Sequence, residues 1–167
     1  MTEGEYNEVV DKMADGVYRY ALRCCGIAEY AEDAVQDAFA TLWKQRKEVN
    51  GQEQARRFLL VVVKRKLQDR WRHEKVESEY RDGTISIVSE SYDTVERFDL
   101  QDAIEKALAM LTEEQRSLLT LHDIEGFDYK EIAEMSGEKY NTVQVAVFRA
   151  RVKLKEILNK MNIINTY

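Results

Sequence analysis

Proline is absent from the 167 residues, glycine occurs only seven times and histidine twice. So little chain punctuation argues against a turn-rich β fold, and the abundance of Glu, Lys, Leu and Ala favours helices. The two cysteines are adjacent, as Cys24 and Cys25, which excludes a disulfide framework and a paired-cysteine zinc pattern. They read as buried packing at the end of a helix. No apolar run approaches the ~18 residues of a membrane span, and the first residues lack the basic-then-apolar layout of a secretory leader, so a cytoplasmic location is expected. His73 and His122 fall in different halves of the chain. With no glycine-rich phosphate loop and no metal-ligand spacing beside them, neither an enzyme nor a metal nor a cofactor is expected.

What is present is a core's worth of apolar residues, 44% of the chain, beside 34% charged residues. That is enough for one ordinary domain or two small ones. The net charge of −6 argues, as a whole-chain figure, against a nucleic-acid binder. The charge is unevenly spread, however. Residues 1–50 carry −4 and residues 81–138 carry −10, whereas residues 51–80 carry +3 and residues 139–167 carry +5. With a Debye length of about 8 Å, two such basic segments act locally instead of averaging with distant acids.

Apolar spacing assigns the elements. Tyr6, Val9, Met13, Val17, Tyr20 and Cys24 recur as one face of a helix that ends near Gly26. A second helix opens on Glu29, Glu32 and Asp33, continues through Val35, Phe39, Leu42 and Trp43, and stops before Asn50-Gly51. A third runs from Gln54 to about Glu79 on Phe58, Leu59, Val62, Val63, Leu67 and Trp71. Residues 81–97 lose periodicity and collect Gly, Ser and Thr, which reads as a flexible acidic linker. Beyond it, Phe98 to Met110 is helical, Thr112-Glu-Glu-Gln115 has the spacing of a capping box, and Asp128 opens a short helix through Met135. After the Ser136-Gly137 break, a last helix runs from about Tyr140 to Lys160. The expected fold is all-α: two small helical domains, 1–80 and 98–167, joined by the 81–97 linker.

A short helix, a glycine turn and a longer basic helix make a helix-turn-helix. At ~100° per residue, Val143, Val147, Ala150, Leu154, Ile157 and Leu158 form the packing arc of the last helix. The opposite arc presents Asn141, Thr142, Gln144, Val145, Phe148 and Arg149 near the end that a recognition helix pushes into the major groove. Arg149 suits guanine or phosphate, Gln144 adenine, and Val145 or Phe148 a thymine methyl. Arg151, Lys153 and Lys155 lie farther along and suit phosphate neutralisation. On the third helix, Arg57, Lys64, Arg65, Gln68, Arg72 and Lys75 share roughly 100° of arc, a basic stripe. Trp71 borders it and reads first as a core aromatic, with base stacking as the alternative.

Residues 111–135, with Asn141-Thr142-Val143 and Phe148-Arg-Ala-Arg151, closely resemble the promoter-binding C-terminal domain of bacterial sigma factors of the small extracytoplasmic-function (ECF) group. Tyr18-Arg-Tyr-Ala-Leu-Arg, Ala31-Glu-Asp-Ala-Val-Gln-Asp-Ala-Phe and Leu42-Trp43 resemble the same group's polymerase-binding and promoter-melting domain. The resemblance implies that residues 1–80 are sigma region 2 and residues 98–167 are region 4. The last helix would then read the minus-thirty-five element. The basic stripe, with the 47–54 loop before it, would read the upstream edge of the minus-ten element and trap a flipped base. Asp33, Gln36, Asp37, Phe39, Leu42 and Trp43 stand where relatives grip the clamp helices of core RNA polymerase, although at least one of Phe39 and Trp43 should be mostly buried. The implied partners are core polymerase, promoter DNA and, as in many relatives, a membrane-anchored anti-sigma factor.

Gln144, Val145 and Ala146 replace a common basic, small hydroxyl and arginine trio of the family, so phosphate anchoring there should be weaker. Lys139 holds the usual cap position, which makes Asn141 an alternative cap for a later helix start. Arg65 stands where an Asn is frequent. Two rival readings are a polymerase-independent helix-turn-helix regulator and a polymerase-binding adaptor that no longer reads DNA.

Overall fold

The structure, a computed structural model, describes residues 1–80 and 100–161. The expected linker lies outside the described residues, as do the first two residues of the helix expected from Phe98. Among the described residues there are seven α-helices and no strand. They are α1 Glu3–Cys25, α2 Ala28–Gln45, α3 Gly51–Tyr80, α4 Leu100–Ala109, α5 Glu113–Leu119, α6 Tyr129–Ser136 and α7 Tyr140–Lys160.

Local chemistry sets the boundaries. Thr2 caps α1 in a reciprocal box with Glu5, and Gly26, at φ 69°, ends it in the left-handed region that an L side chain resists. Thr112 and Gln115 form the capping box expected for α5, and the Asp128 side chain accepts the Glu131 amide at the start of α6. Replacing Asp128 with alanine orphans that amide. It should cost about 1 kcal/mol, read as a lower urea midpoint at unchanged slope.

Between α5 and α6 the chain departs from the expected plain helix. Residues 120–124 form a π-turn, in which the Glu125 amide reaches back to the Thr120 carbonyl at 2.9 Å. The wider turn puts Leu121 into the core, and its carbonyl accepts the Phe127 amide at 3.1 Å.

Helices α1, α2 and α3 pack on one another around Tyr20, Leu42, Leu59, Val63 and Leu67. Helices α5 and α6 pack on α7, whose Val143, Val147, Ala150, Ile157 and Leu158 are buried as the spacing predicted, with Leu154 partly covered. The two halves also touch directly. α1 packs on α5 and α4, α3 packs on α6, and the apolar core runs without interruption from one half into the other.

Candidate nucleic-acid and polymerase interfaces

The helix-turn-helix is built by α6, the Gly137 turn and α7. Gly137 sits at φ 69°, so the backbone can reverse immediately after Ser136. Helix α7 starts at Tyr140 with Lys139 at the cap position and no side-chain cap, which corrects the later start on Asn141. The start is held by rings instead. His122 stacks on Tyr129 at 4.4 Å, and Tyr129 meets Tyr140 edge-on at 6.0 Å.

With the buried arc committed to α5 and α6, the opposite arc of α7 faces outward. Asn141, Thr142, Gln144, Val145, Phe148 and Arg149 are all exposed. Phe148 is 64% and Val145 46% exposed, and Val152 continues the apolar row one turn farther. A shallow depression runs between Asn141, Thr142, Val145, Ala146 and Arg149. Arg151 is differently placed. Its guanidinium is clamped by both oxygens of Asp123, whose hydrogen bond raises the arginine's pKa further. Arg151 thus ties α7 to the π-turn, and Lys153 and Lys155 farther along are exposed.

The basic stripe of α3 divides in two. Arg65, Arg72 and Lys75 are exposed and Gln68 is half-buried beside them. Lys64, in contrast, is only 3% exposed. Its loss of water lowers its pKa, an effect opposed by Glu138 and Glu114 of the C-terminal half. Arg57 Nη2 donates to Glu131 Oε1 at 3.1 Å, with Glu53 also close. The expectation that Arg57 and Lys64 belong to one open stripe is therefore corrected: α6 packs on α3 there, Arg57 is held by Glu131, and Lys64 is buried. The neighbouring Arg56 is a residue the periodicity did not single out. Its Nη2 donates to the Glu125 carboxylate at 2.8 Å and to the Glu125 carbonyl at 2.9 Å, and it lies over the Phe127 ring at 4.8 Å. Trp71 is partly buried against the core, as its first reading had it.

On α2, Asp33 and Asp37 are paired with α3, to Arg70 and Lys66 respectively, and Gln36 is exposed beside them. Arg70 also covers the Tyr30 ring at 3.7 Å. Leu42 is 0% exposed, a core residue closed to any partner, which corrects its place among the polymerase-gripping residues. Phe39 is the more buried of the two aromatics, and its carbonyl accepts the Tyr6 hydroxyl at 3.0 Å. Trp43 is exposed at the surface, between an edge-on Tyr6 ring at 4.9 Å and the Arg46 guanidinium at 3.8 Å. The face is an acidic ridge with one large aromatic at its end, suited to an arginine-bearing helix.

No group of three or more His, Cys, Asp or Glu side chains among the described residues is arranged to hold a metal. The outward face of α7, the exposed part of the α3 stripe and the acidic ridge of α2 are the candidate interfaces, and comparison with known proteins gives the family. Residues 9–76 match Sigma-70 region 2 and residues 101–154 match Sigma-70, region 4. The probable ECF RNA polymerase sigma factor SigI of Mycobacterium tuberculosis is 31% identical over 147 residues, 81% of this chain and 49% of that protein. The ECF RNA polymerase sigma factor SigE of Mycolicibacterium smegmatis is 29% identical over 173 residues, 93% of this chain and 62% of that protein. The positive control factor of Bacillus subtilis is 39% identical over 62 residues, 37% of each chain. Among solved structures, the sigma factor RpoE in complex with the anti-sigma factor NepR from Bartonella quintana superposes with a TM-score of 0.72. It is 25% identical, with 92% of this chain and 96% of that chain covered. The chain belongs to the sigma-70 family, in its ECF group. It spans about half the length of the curated relatives it matches.

Proposed function

We propose that the chain binds core RNA polymerase and directs promoter-specific initiation as an ECF sigma factor, with no catalytic chemistry of its own. The observation that carries this is the pairing, on one chain, of a region 2 signature with a region 4 helix whose outward arc holds Gln144, Val145, Phe148 and Arg149. Helix α7 reads the minus-thirty-five element in the major groove. The exposed part of the α3 stripe, with Arg65, Gln68, Arg72 and Lys75, meets the minus-ten element, and the α2 ridge with Trp43 meets the polymerase clamp. The action is cytoplasmic, and no helix among the described residues is long and apolar enough to cross a membrane. A structural relative captured with an anti-sigma factor supports regulation by such a partner here as well.

Transcription with purified core polymerase tests the whole reading. Co-purification with core and initiation at a defined promoter are expected. Binding to duplex DNA without polymerase, with no initiation, would leave the regulator reading standing. Binding to core without any promoter preference would leave the adaptor.

Base reading by α7 has a narrower test. Because Val145 and Phe148 offer methyl-sized apolar contacts, replacing a contacted thymine by deoxyuracil should weaken binding about fourfold, the worth of one buried methyl at ~0.8 kcal/mol. In a Phe148→Ala variant the thymine and deoxyuracil duplexes should bind alike. Gln144→Arg should steepen the dependence of log K on log salt by about 0.9, one further phosphate contact. An unchanged slope would place residue 144 away from the backbone.

A further inference from the structure

We propose that Tyr129 of α6 is a pin that sets the roll of α7 about its own axis, acting through Tyr140 and Arg151, so that these positioning residues govern base discrimination without reading a base themselves. The consequence for promoter DNA rests on the sigma-factor reading, whereas the cluster itself does not. Helix α7 lacks what commonly fixes such an end. Lys139 supplies no side-chain cap, and the bond from the Val143 amide to the Lys139 carbonyl, at 3.1 Å, is an ordinary helical one.

Tyr140 and Arg151 are eleven residues apart, which at ~100° per residue brings them back to within about 20° of one another, about three turns along. They lie in line on one edge of α7, and both bear on Tyr129. The Tyr140 ring meets the Tyr129 ring edge-on at 6.0 Å, and the Tyr129 hydroxyl lies against the Arg151 guanidinium, which Asp123 also clamps. Tyr129 is itself held by the π-turn. His122 stacks on it at 4.4 Å, and because a carbonyl can only accept, His122 Nδ1 donates to the Phe127 carbonyl 2.7 Å away, which fixes the imidazole plane. A rod held at two points in line cannot roll.

What the pin governs is the arc beside it. On the same ~100° spacing, Gln144 stands about 40° and Phe148 about 80° round from Tyr140, so a roll of α7 carries both across the groove. Glutamine pairs with adenine through two bonds at once, a geometry that tolerates little rotation. Core packing does not supply the same control. The buried arc of Val143, Val147 and Ala150 is apolar, and apolar burial is non-directional. The Tyr140 and Arg151 contacts add the direction.

The test uses the full chain with core polymerase and a duplex enriched by the wild-type holoenzyme from a library randomised at the minus-thirty-five position. The reference is the same duplex with that element scrambled. Y140A should lower the ratio of the two affinities about tenfold, the share of one base contact, and Y140F, which keeps the ring, should restore it. D123A, which releases the Arg151 end, should lower the ratio as far, and Y140A/D123A hardly further, because either loss frees the same roll. In the free protein, the backbone amide resonances of Gln144 and Phe148 should move the same way in Y140A and D123A and keep their wild-type positions in Y140F. A Y140F protein as poor as Y140A would make the hydroxyl a DNA contact in its own right and overturn the proposal. So would additive losses in the double variant, an unchanged ratio in D123A, or a fall accompanied by loss of helical circular dichroism. If the wild-type holoenzyme enriches no sequence, the sigma-factor reading falls instead, and the pin is decided by the amide resonances, whose failure to move in D123A would overturn it.

Discussion

Leu121→Ala should lower the free energy of unfolding by about 3–5 kcal/mol, a large share of the roughly 5–15 kcal/mol that holds a domain of this size. Leu121 has no exposed surface. It enters the core from the π-turn, where the backbone on either side is fixed by the Glu125-to-Thr120 and Phe127-to-Leu121 hydrogen bonds. A side chain held from both sides leaves a cavity that cannot easily collapse, which puts the loss toward the upper end of the range. Ile124, three residues on, is 44% exposed, and Ile124→Ala should stay within about 0.5 kcal/mol. Urea denaturation of the two variants makes the comparison. Equal losses would mean that the π-turn does not set which residue is inside.

Glu113→Gln should stabilise the protein at pH 8 by up to about 3 kcal/mol, and hardly at all near pH 4. Glu113 sits half-buried at the start of α5, and burial, aided by Glu74 and opposed by Arg116, pushes its carboxyl up to about 7. A carboxyl raised on folding binds its proton more tightly in the native state. Its contribution is therefore unpenalised below the ordinary carboxylate value of 4.5 and falls as pH rises toward about 7. Glutamine keeps the shape without the charge, so the variant should lose that slope. Loss of a favourable charge at the first turn of α5 takes back a few tenths of a kcal/mol. Thermal unfolding at pH 4, 6 and 8 reads the effect. Parallel curves for the two proteins would show that Glu113 stays hydrated in the folded state.

The elements and their ends were legible because their causes are local. Thr112 and Asp128 cap within three residues, Gly26 and Gly137 stop their helices by their own backbone freedom, and the packing arc of α7 repeats along one helix. The outward arc of α7 followed from the same periodicity. What periodicity could not show is which other helix covers a given face. Lys64 belongs to the basic arc of α3 and yet lies under region 4, and Leu42, one residue from the exposed Trp43, is wholly interior. Arg151 reads as a phosphate contact until Asp123, twenty-eight residues away, is seen to hold it. One signal for the contact between the halves was available: Glu125 and Glu131 belong to an acidic stretch on either side of the turn before α6, and Arg56-Arg57 is a paired cation on α3. Nothing in one sequence says that these charges meet.

The seating of Cys24 makes the wild-type chain its own reporter of how firmly α1 is packed against α5. The thiol is completely enclosed between Tyr20, Ser117 and Arg116, and burial pushes it up to about 12, so almost none is thiolate at neutral pH. Cys25 beside it is also buried, with its sulfur donating to the Ile27 carbonyl at 3.3 Å. An alkylating reagent can reach Cys24 only in the fraction of molecules in which the packing of α1 against Ser117 and Arg116 has opened, locally or by unfolding. The rate of its modification thus times the opening of that packing, to be read by mass spectrometry without any introduced label, in the presence and absence of core polymerase.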